Sequence, residues 1–164
     1  MKDFESAVVI GRGLSEVMNA FWRLETWPTF TRHVRQIDIH YEDDNVQILS
    51  MHVESRGKRD VFKSARIRQP GVIHYFQPTP PPTLRFHRGS WEFAETDGGT
   101  RVTCHHSIVV NPSGCQQFFL ATGKVVSESE AADELEILIR HNSNETMNAV
   151  KRQLELAAET VVAS

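Results

Sequence analysis

Ser64 and Arg66 stand two residues apart in the segment GKRDVFKSARIRQPG, Gly57 to Gly71. The segment reads as a strand between turns, and successive strand side chains point to opposite sides. Phe62, Ser64 and Arg66 therefore share one face, and Val61, Lys63, Ala65 and Ile67 the other. Neither face is cleanly apolar. From these residues alone two accounts stay open: a solvated cation and hydroxyl on the wet side of a sheet, or polar groups placed inside it. The second would do chemistry. A guanidinium offers a planar fork of donors that can hold a keto group or a developing oxyanion. It keeps its proton at any ordinary pH, so it is a poor acid. A hydroxyl beside it can hold a water or a substrate oxygen.

Proton transfer needs another group, and two histidines are placed for it. His106 shares a strand face with Val102, Cys104 and Ile108, and His87 has the parity of Trp91 and Phe93. Each can also be read as a bystander on a half-wet strand. A metal is not expected, since His105 and His106 must face opposite ways and no pair has the spacing of a zinc-binding helix or finger. No nucleophile motif of a hydrolase stands out either. Cys104 and Cys115 are expected to be reduced and structural.

The elements that must position these residues are marked by turns. A first strand is expected over residues 5 to 11, followed by a helix in GLSEVMNAFWRL, where Leu14, Val17, Met18, Phe21 and Leu24 recur at helical spacing. Pro28 suits the first position of a second short helix, WPTFTRHV. Strands are then expected at about 34–42, 45–55, 59–68, 72–77, 84–95 and 100–110, separated by EDDN, RG, QPG and TDGG. The proline run 78–83 reads as a stiff loop or as a recognition motif for a partner domain. The segment PSGCQQFFLATGKVV has weak periodicity and two exposed-looking aromatics, Phe118 and Phe119, as a lid or a packed connection would.

Ser127 and Glu130 form a capping box ahead of a long C-terminal helix reaching about Glu159. Its apolar stripe runs through Ala132, Leu135, Ile139, Val150, Leu154 and Ala157, but Asn142 and Thr146 interrupt it. Either the helix breaks at HNSNE or a polar cavity faces it there. The order of elements argues an α+β fold of one domain, residues 1–164, with the long helix laid across a curved antiparallel sheet of about seven strands. At this length folding buries about 70% of the unfolded surface, enough for one core with a cavity in it.

Charge and hydropathy narrow the partners. The net charge of −3 gives no general attraction for phosphate backbones, so neither nucleic acid nor an anionic membrane is expected. The N-terminus has only the short apolar run Ala7 to Ile10, neither a signal-peptide core nor a membrane span, which points to a cytoplasmic protein.

Four pieces carry a resemblance: ETWPTFTRHV, GKRDVFKSARIR, GSWEFAETDGGTRVTCHH and RHNSNETMNAVKRQLELA. Together they resemble the helix-grip, START/Bet v 1-like superfamily, and within it the bacterial polyketide aromatase/cyclases. The resemblance implies a cofactor-independent enzyme. It would receive a poly-β-ketone from an acyl carrier protein, fold it in an interior cavity, and promote one aldol cyclisation and dehydration to an aromatic ring. The family's pocket arginine and serine correspond to Arg66 and Ser64, turning that strand face inward, and its pocket tryptophans to Trp27 and Trp91. On this reading Arg66, Ser64 and His106 are catalytic, and Trp27, Val34, Phe62, His87, Trp91, Asn142 and Thr146 bind the substrate. Val34 stands where some members carry tyrosine, and Asp60 and Phe62 where tryptophans are expected. RHNSNE is closer to the two-domain members. An arginine facing a wet cavity is also expected to be dispensable for folding. The basic turn from Arg56 to Arg59 reads as a docking point for an acidic carrier protein or as a solvated hairpin tip. The alternative to a cyclase is a carrier or sensor of a hydrophobic small molecule, which would line its pocket mainly with aliphatic side chains.

Overall fold

The computed structural model describes residues 1–162, without the side chains of residues 158 and 160–162. Seven strands form one antiparallel sheet: β1 (Lys2–Ile10), β2 (Val34–Glu42), β3 (Val46–Ser55), β4 (Lys58–Gln69), β5 (Val72–Thr79), β6 (Leu84–Thr96) and β7 (Gly99–Val110). Their spatial order is β1-β7-β6-β5-β4-β3-β2, so β2 to β7 form a meander and β1 closes the far edge against β7. Between β1 and β2 lie α1 (Leu14–Trp22) and a 3-10 helix (Leu24–Thr29); after β7 come α2 (Pro112–Ala121) and the long α3 (Ala131–Val162).

Alternation sets the inner face. Along β7, Val102, Cys104, His106 and Ile108 are all buried, and along β4 the buried residues are Ser64 and Arg66. The β3–β4 hairpin turns on Arg56 and Gly57, both at positive φ (51° and 76°), the geometry that matches a two-residue turn to strand twist. The inner face and the helices build two apolar clusters. One centres on Phe21, Trp27, Trp91, Phe93 and Met147. The other joins Phe4, Leu84, Ile108, Phe118, Phe119 and Leu135.

Three expectations are corrected, and one open alternative is decided. The segment after Asn111 is a helix, α2, entered through Pro112, and its aromatics are buried rather than exposed, Phe118 at 3% and Phe119 at 0%. Its weak periodicity follows from packing both of these neighbouring rings against other elements. The 3-10 helix begins at Leu24 and contains Pro28, where WPTFTRHV was expected to start with it. Strand β5 runs to Thr79, so the first proline of the 78–83 run ends a strand instead of opening a loop. At the start of α3 the Glu130 carboxylate accepts the Ser127 N–H at 3.1 Å, as a capping box should, and the helix then continues unbroken through HNSNE.

Because Phe119 is fully buried, Phe119→Ala should cost about 3–5 kcal/mol. A loss below about 0.5 kcal/mol in urea unfolding, as for an exposed residue, would contradict this packing.

Candidate functional site

An interior cavity of about 200 Å³ lies between the concave face of the sheet and α3. Both apolar clusters contribute walls, Trp27 and Trp91 from one and Leu84, Phe118 and Leu135 from the other. The two tryptophan rings meet edge to face, 6.3 Å apart at 86°. Phe62 adds a third flat surface.

Arg66 enters this cavity from β4 and is 3% exposed. Its Nη1 donates to Trp22 O at 3.0 Å and to Gln47 Oε1 at 2.6 Å, and its Nη2 donates to Phe21 O. These carbonyls belong to the last turn of α1, which has no intrahelical donors for them. The guanidinium therefore satisfies a helix C-terminus, where a cation is also favoured by the dipole. The Trp22 ring lies between two guanidinium groups, with Arg66 Cζ at 5.2 Å and Arg68 Cζ at 4.7 Å from its centroid. Gln47 extends the network to Trp22 O and Glu42. Burial pulls the Arg66 pKa down to about 9, while the charges of Glu42 and Glu25 oppose this, so the group stays charged at neutral pH. The expectation that Arg66 is dispensable for folding is thus corrected: two of its hydrogen bonds hold the end of α1 to the sheet and a third holds Gln47 on β3. Ser64 also faces the cavity, and among the described residues its hydroxyl has no hydrogen-bond partner.

Beside Arg66, which pairs with Tyr75 across β4 and β5, begins a buried polar chain. His106 Nδ1 lies 2.7 Å from the Tyr75 hydroxyl and 3.0 Å from His87 Nε2. Its Nε2 lies 2.8 Å from Ser143 Oγ on α3 and 3.1 Å from Cys104 Sγ. Both imidazoles are buried, at 6% for His106 and 7% for His87, not half-wet. Burial depresses the His87 pKa to about 4; burial first, and then His87, push His106 well below the ordinary histidine range. Tyr75 reaches His106 because residue 89 is glycine. A Cβ there would sit 2.4 Å from the Tyr75 hydroxyl and 2.0 Å from His105 O.

Of the ten residues named from sequence, nine line the cavity: Arg66, Ser64, His106, Trp27, Phe62, His87, Trp91, Asn142 and Thr146. Val34 does not. It is 1% exposed and packs in the apolar core, because valine is too short to reach the space a tyrosine would occupy. Asn142 and Thr146 are the polar gap in the α3 stripe, and they bond to Ser55 Oγ at 3.2 Å and to His33 Nε2 at 3.2 Å. Tyr75, Gln77, Ser143 and His33 also line the cavity but were not singled out. The available signal was Gly89, since a glycine inside a strand marks a close approach. Among the described residues no cluster of histidine, cysteine and carboxylate side chains is arranged to hold a metal ion, and no helix is long and apolar enough to cross a membrane.

A sheet wrapped round one long helix, with a cavity between them, is the START/Bet v 1-like architecture. A START superfamily protein from Mycobacterium smegmatis superposes with a TM-score of 0.64 at 13% identity, over 97% of this chain and 98% of its own. The profile of the polyketide cyclase/dehydrase and lipid transport family matches residues 10–123, and the chain belongs to that family. It is 35% identical over 95 residues to the granaticin polyketide synthase bifunctional cyclase/dehydratase of Streptomyces violaceoruber, covering 56% of this chain and 29% of that protein. The di-domain aromatase/cyclase of the steffimycin pathway superposes with a TM-score of 0.83 at 23% identity, over 96% of this chain and 52% of its own. The Zhui aromatase/cyclase from Streptomyces gives 0.80 at 23% identity, over 94% and 93%. The chain thus spans less than a third of that curated relative and about half of the di-domain structure.

Removing Arg66 leaves Phe21 O and Gln47 Oε1 without this donor, while Trp22 O keeps the Gln47 amide, so Arg66→Ala should lose about 1–3 kcal/mol of stability, with Arg66→Lys recovering part of it. An unchanged urea midpoint in Arg66→Ala would show that α1 is held otherwise.

The histidines set a pH dependence. Their folded pKa values lie below the unfolded value of about 6.5, so below that pH the unfolded chain binds more protons and stability falls as pH falls. For His87 the loss begins near pH 6.5 and levels off near its folded value of about 4, at up to about 1.4 kcal/mol per pH unit. Melting temperatures from pH 7 to 5 should drop, and less steeply in His87→Phe; parallel curves would refute a neutral buried His87.

Proposed function

We propose that the chain is a polyketide aromatase/cyclase, which takes a poly-β-ketone from an acyl carrier protein and promotes aldol cyclisation and dehydration to an aromatic ring. The carrying observation is the polarity of the cavity. Arg66, Ser64 and the His87–His106 pair face inward among aromatic walls, where a carrier of a hydrophobic molecule would need mainly aliphatic ones.

An aldol cyclisation needs an enolate at one carbon and an electrophilic carbonyl at another, with the chain bent so that they meet. Confinement in a shaped cavity can supply about 7–11 kcal/mol of that barrier in favourable cases. Trp27, Phe62 and Trp91 give planar enols a surface to stack on. Arg66 has two N–H donors beyond the three that hold α1 and Gln47; these polarise a keto oxygen and stabilise the alkoxide that forms on it. Ser64 positions a substrate oxygen or a water. The histidine pair carries the protons: it accepts one as the enolate forms and returns it to the alkoxide, then takes a second from the adjacent carbon and gives it to the hydroxyl that leaves as water.

The route in passes the β3–β4 turn. Ser55 and Asp60 line the cavity, and between them Arg56 and Lys58 stand over the Phe119 and Phe118 rings of α2, each 5.5 Å from the centroid. A basic turn at this place suits an acidic carrier protein.

Reconstitution with a minimal polyketide synthase tests the reading. The parent should raise cyclised aromatic product over spontaneous shunt products, and Ser64→Ala should cost less than Arg66→Lys because water can replace a hydroxyl. Lys58→Glu/Arg59→Glu should slow turnover of the carrier-bound chain at low salt, and the difference should shrink as salt rises. A product ratio unchanged by adding the parent would refute the cyclase reading.

A further inference from the structure

Two cavity-lining residues each carry a buried polar atom without any partner among the described residues: Gln77 Oε1 and His87 Nδ1. Both residues are 7% exposed. They lie on neighbouring strands, each one residue beyond Phe76↔Arg88, the last pair of the β5–β6 register. A buried polar group left unpaired costs about 1–3 kcal/mol, and native proteins seldom tolerate two together. We infer that Gln77 and His87 form a subsite for hydroxyl groups of the bound molecule, which selects enol or phenol oxygens over ketones.

The selectivity follows from which atoms can donate. Gln77 Oε1 can only accept, so its partner must carry a proton. The role of His87 Nδ1 depends on its other nitrogen, which meets His106 Nδ1 at 3.0 Å. If His87 donates to His106, its own Nδ1 is an acceptor and again needs an O–H. If His106 donates, using its contact with Ser143 or Cys104 as the acceptor side, His87 Nδ1 carries the proton and donates to an oxygen. A hydroxyl serves in both arrangements, because it donates and accepts. A ketone satisfies Gln77 in neither. His106 differs from His87 here: both of its ring nitrogens are engaged by protein groups. His87 is therefore the ring that touches the ligand, and His106 is a positioning residue behind it.

The identity of the hydroxyl rests on the proposed cyclase reading. In that reading the O–H is the enol of a β-diketone before ring closure and the phenol after dehydration. The subsite would hold the enol tautomer, the one able to act as nucleophile, and keep it oriented through aromatisation.

The test uses tryptophan quenching on the intact chain with two probes: anthraquinone, which has carbonyls only, and a dihydroxyanthraquinone whose hydroxyls lie away from them. The parent should bind the dihydroxy probe about tenfold more tightly, the effect of one well-made hydrogen bond to a buried group. Gln77→Met should cut that preference at least threefold while leaving anthraquinone affinity within twofold, and His87→Phe should cut the preference at least threefold. Gln77 makes no side-chain hydrogen bond among the described residues, so Gln77→Met keeps the test alive if His87→Phe fails to fold. Equal affinity of the parent for both probes, or a preference untouched in folded Gln77→Met, would overturn the subsite and leave these atoms to water. A preference that vanishes in the variants, in a protein that does not cyclise in the reconstituted synthase, would support the subsite and refute the cyclase.

Discussion

The buried guanidinium of Arg66 organises this molecule. An ion of that size is costly to remove from water unless its donors are met. Here they are met by the carbonyl end of α1 and by Gln47, groups that would themselves be unpaired without it. The exchange fixes where α1 ends against the sheet. From there the chain turns into the 3-10 helix, which delivers Trp27 to the cavity wall and anchors its indole N–H on Ala20 O at 3.0 Å. Phe21, whose carbonyl Arg66 holds, packs 4.9 Å from Trp91. One strand residue thus positions a helix, two tryptophans and the depth of the pocket.

The rest of the interior shows the same economy of polar groups. Tyr75, His106, Ser143 and Cys104 satisfy one another across β5, β7 and α3. Such a network is rigid because each member has few alternatives in a low-dielectric interior. It starts beside Arg66, since Tyr75 pairs with that residue across β4 and β5, so a bound molecule meets a fixed positive group and a neutral, polarisable network on neighbouring strands. That arrangement suits chemistry in which negative charge develops on oxygen while a proton moves nearby.

Family membership and fold agree with this arrangement without accounting for all of it. The relatives named as cyclases are of modest identity, those of known structure share the architecture, and the chain spans only part of the longer ones. The details that shape this cavity are local: Val34 absorbed into the core, Asp60 and Phe62 on the fourth strand, and Gly89 admitting the Tyr75 ring.

Period and punctuation made the sheet legible from the sequence, because strand alternation and turn residues are short-range properties. The seven strands, their antiparallel sense, the long terminal helix and its capping box all follow from residues within a few positions of one another. The resemblance added the inward turn of Ser64 and Arg66, which alternation alone left open between two faces. Helix α2 escaped because its apolar residues do not repeat at one period; they face two different elements that only the fold brings near. The break or cavity at Asn142 and Thr146 was equally undecidable locally, since the same polar residues cap a helix end or line a hole. Tertiary structure decided what each buried polar group meets: that Arg66 holds a helix 44 residues away in sequence, that His106 is saturated, and that Gln77 and His87 are not. Hydrogen-bond satisfaction is a property of three-dimensional neighbours, and no pattern along the chain encodes it.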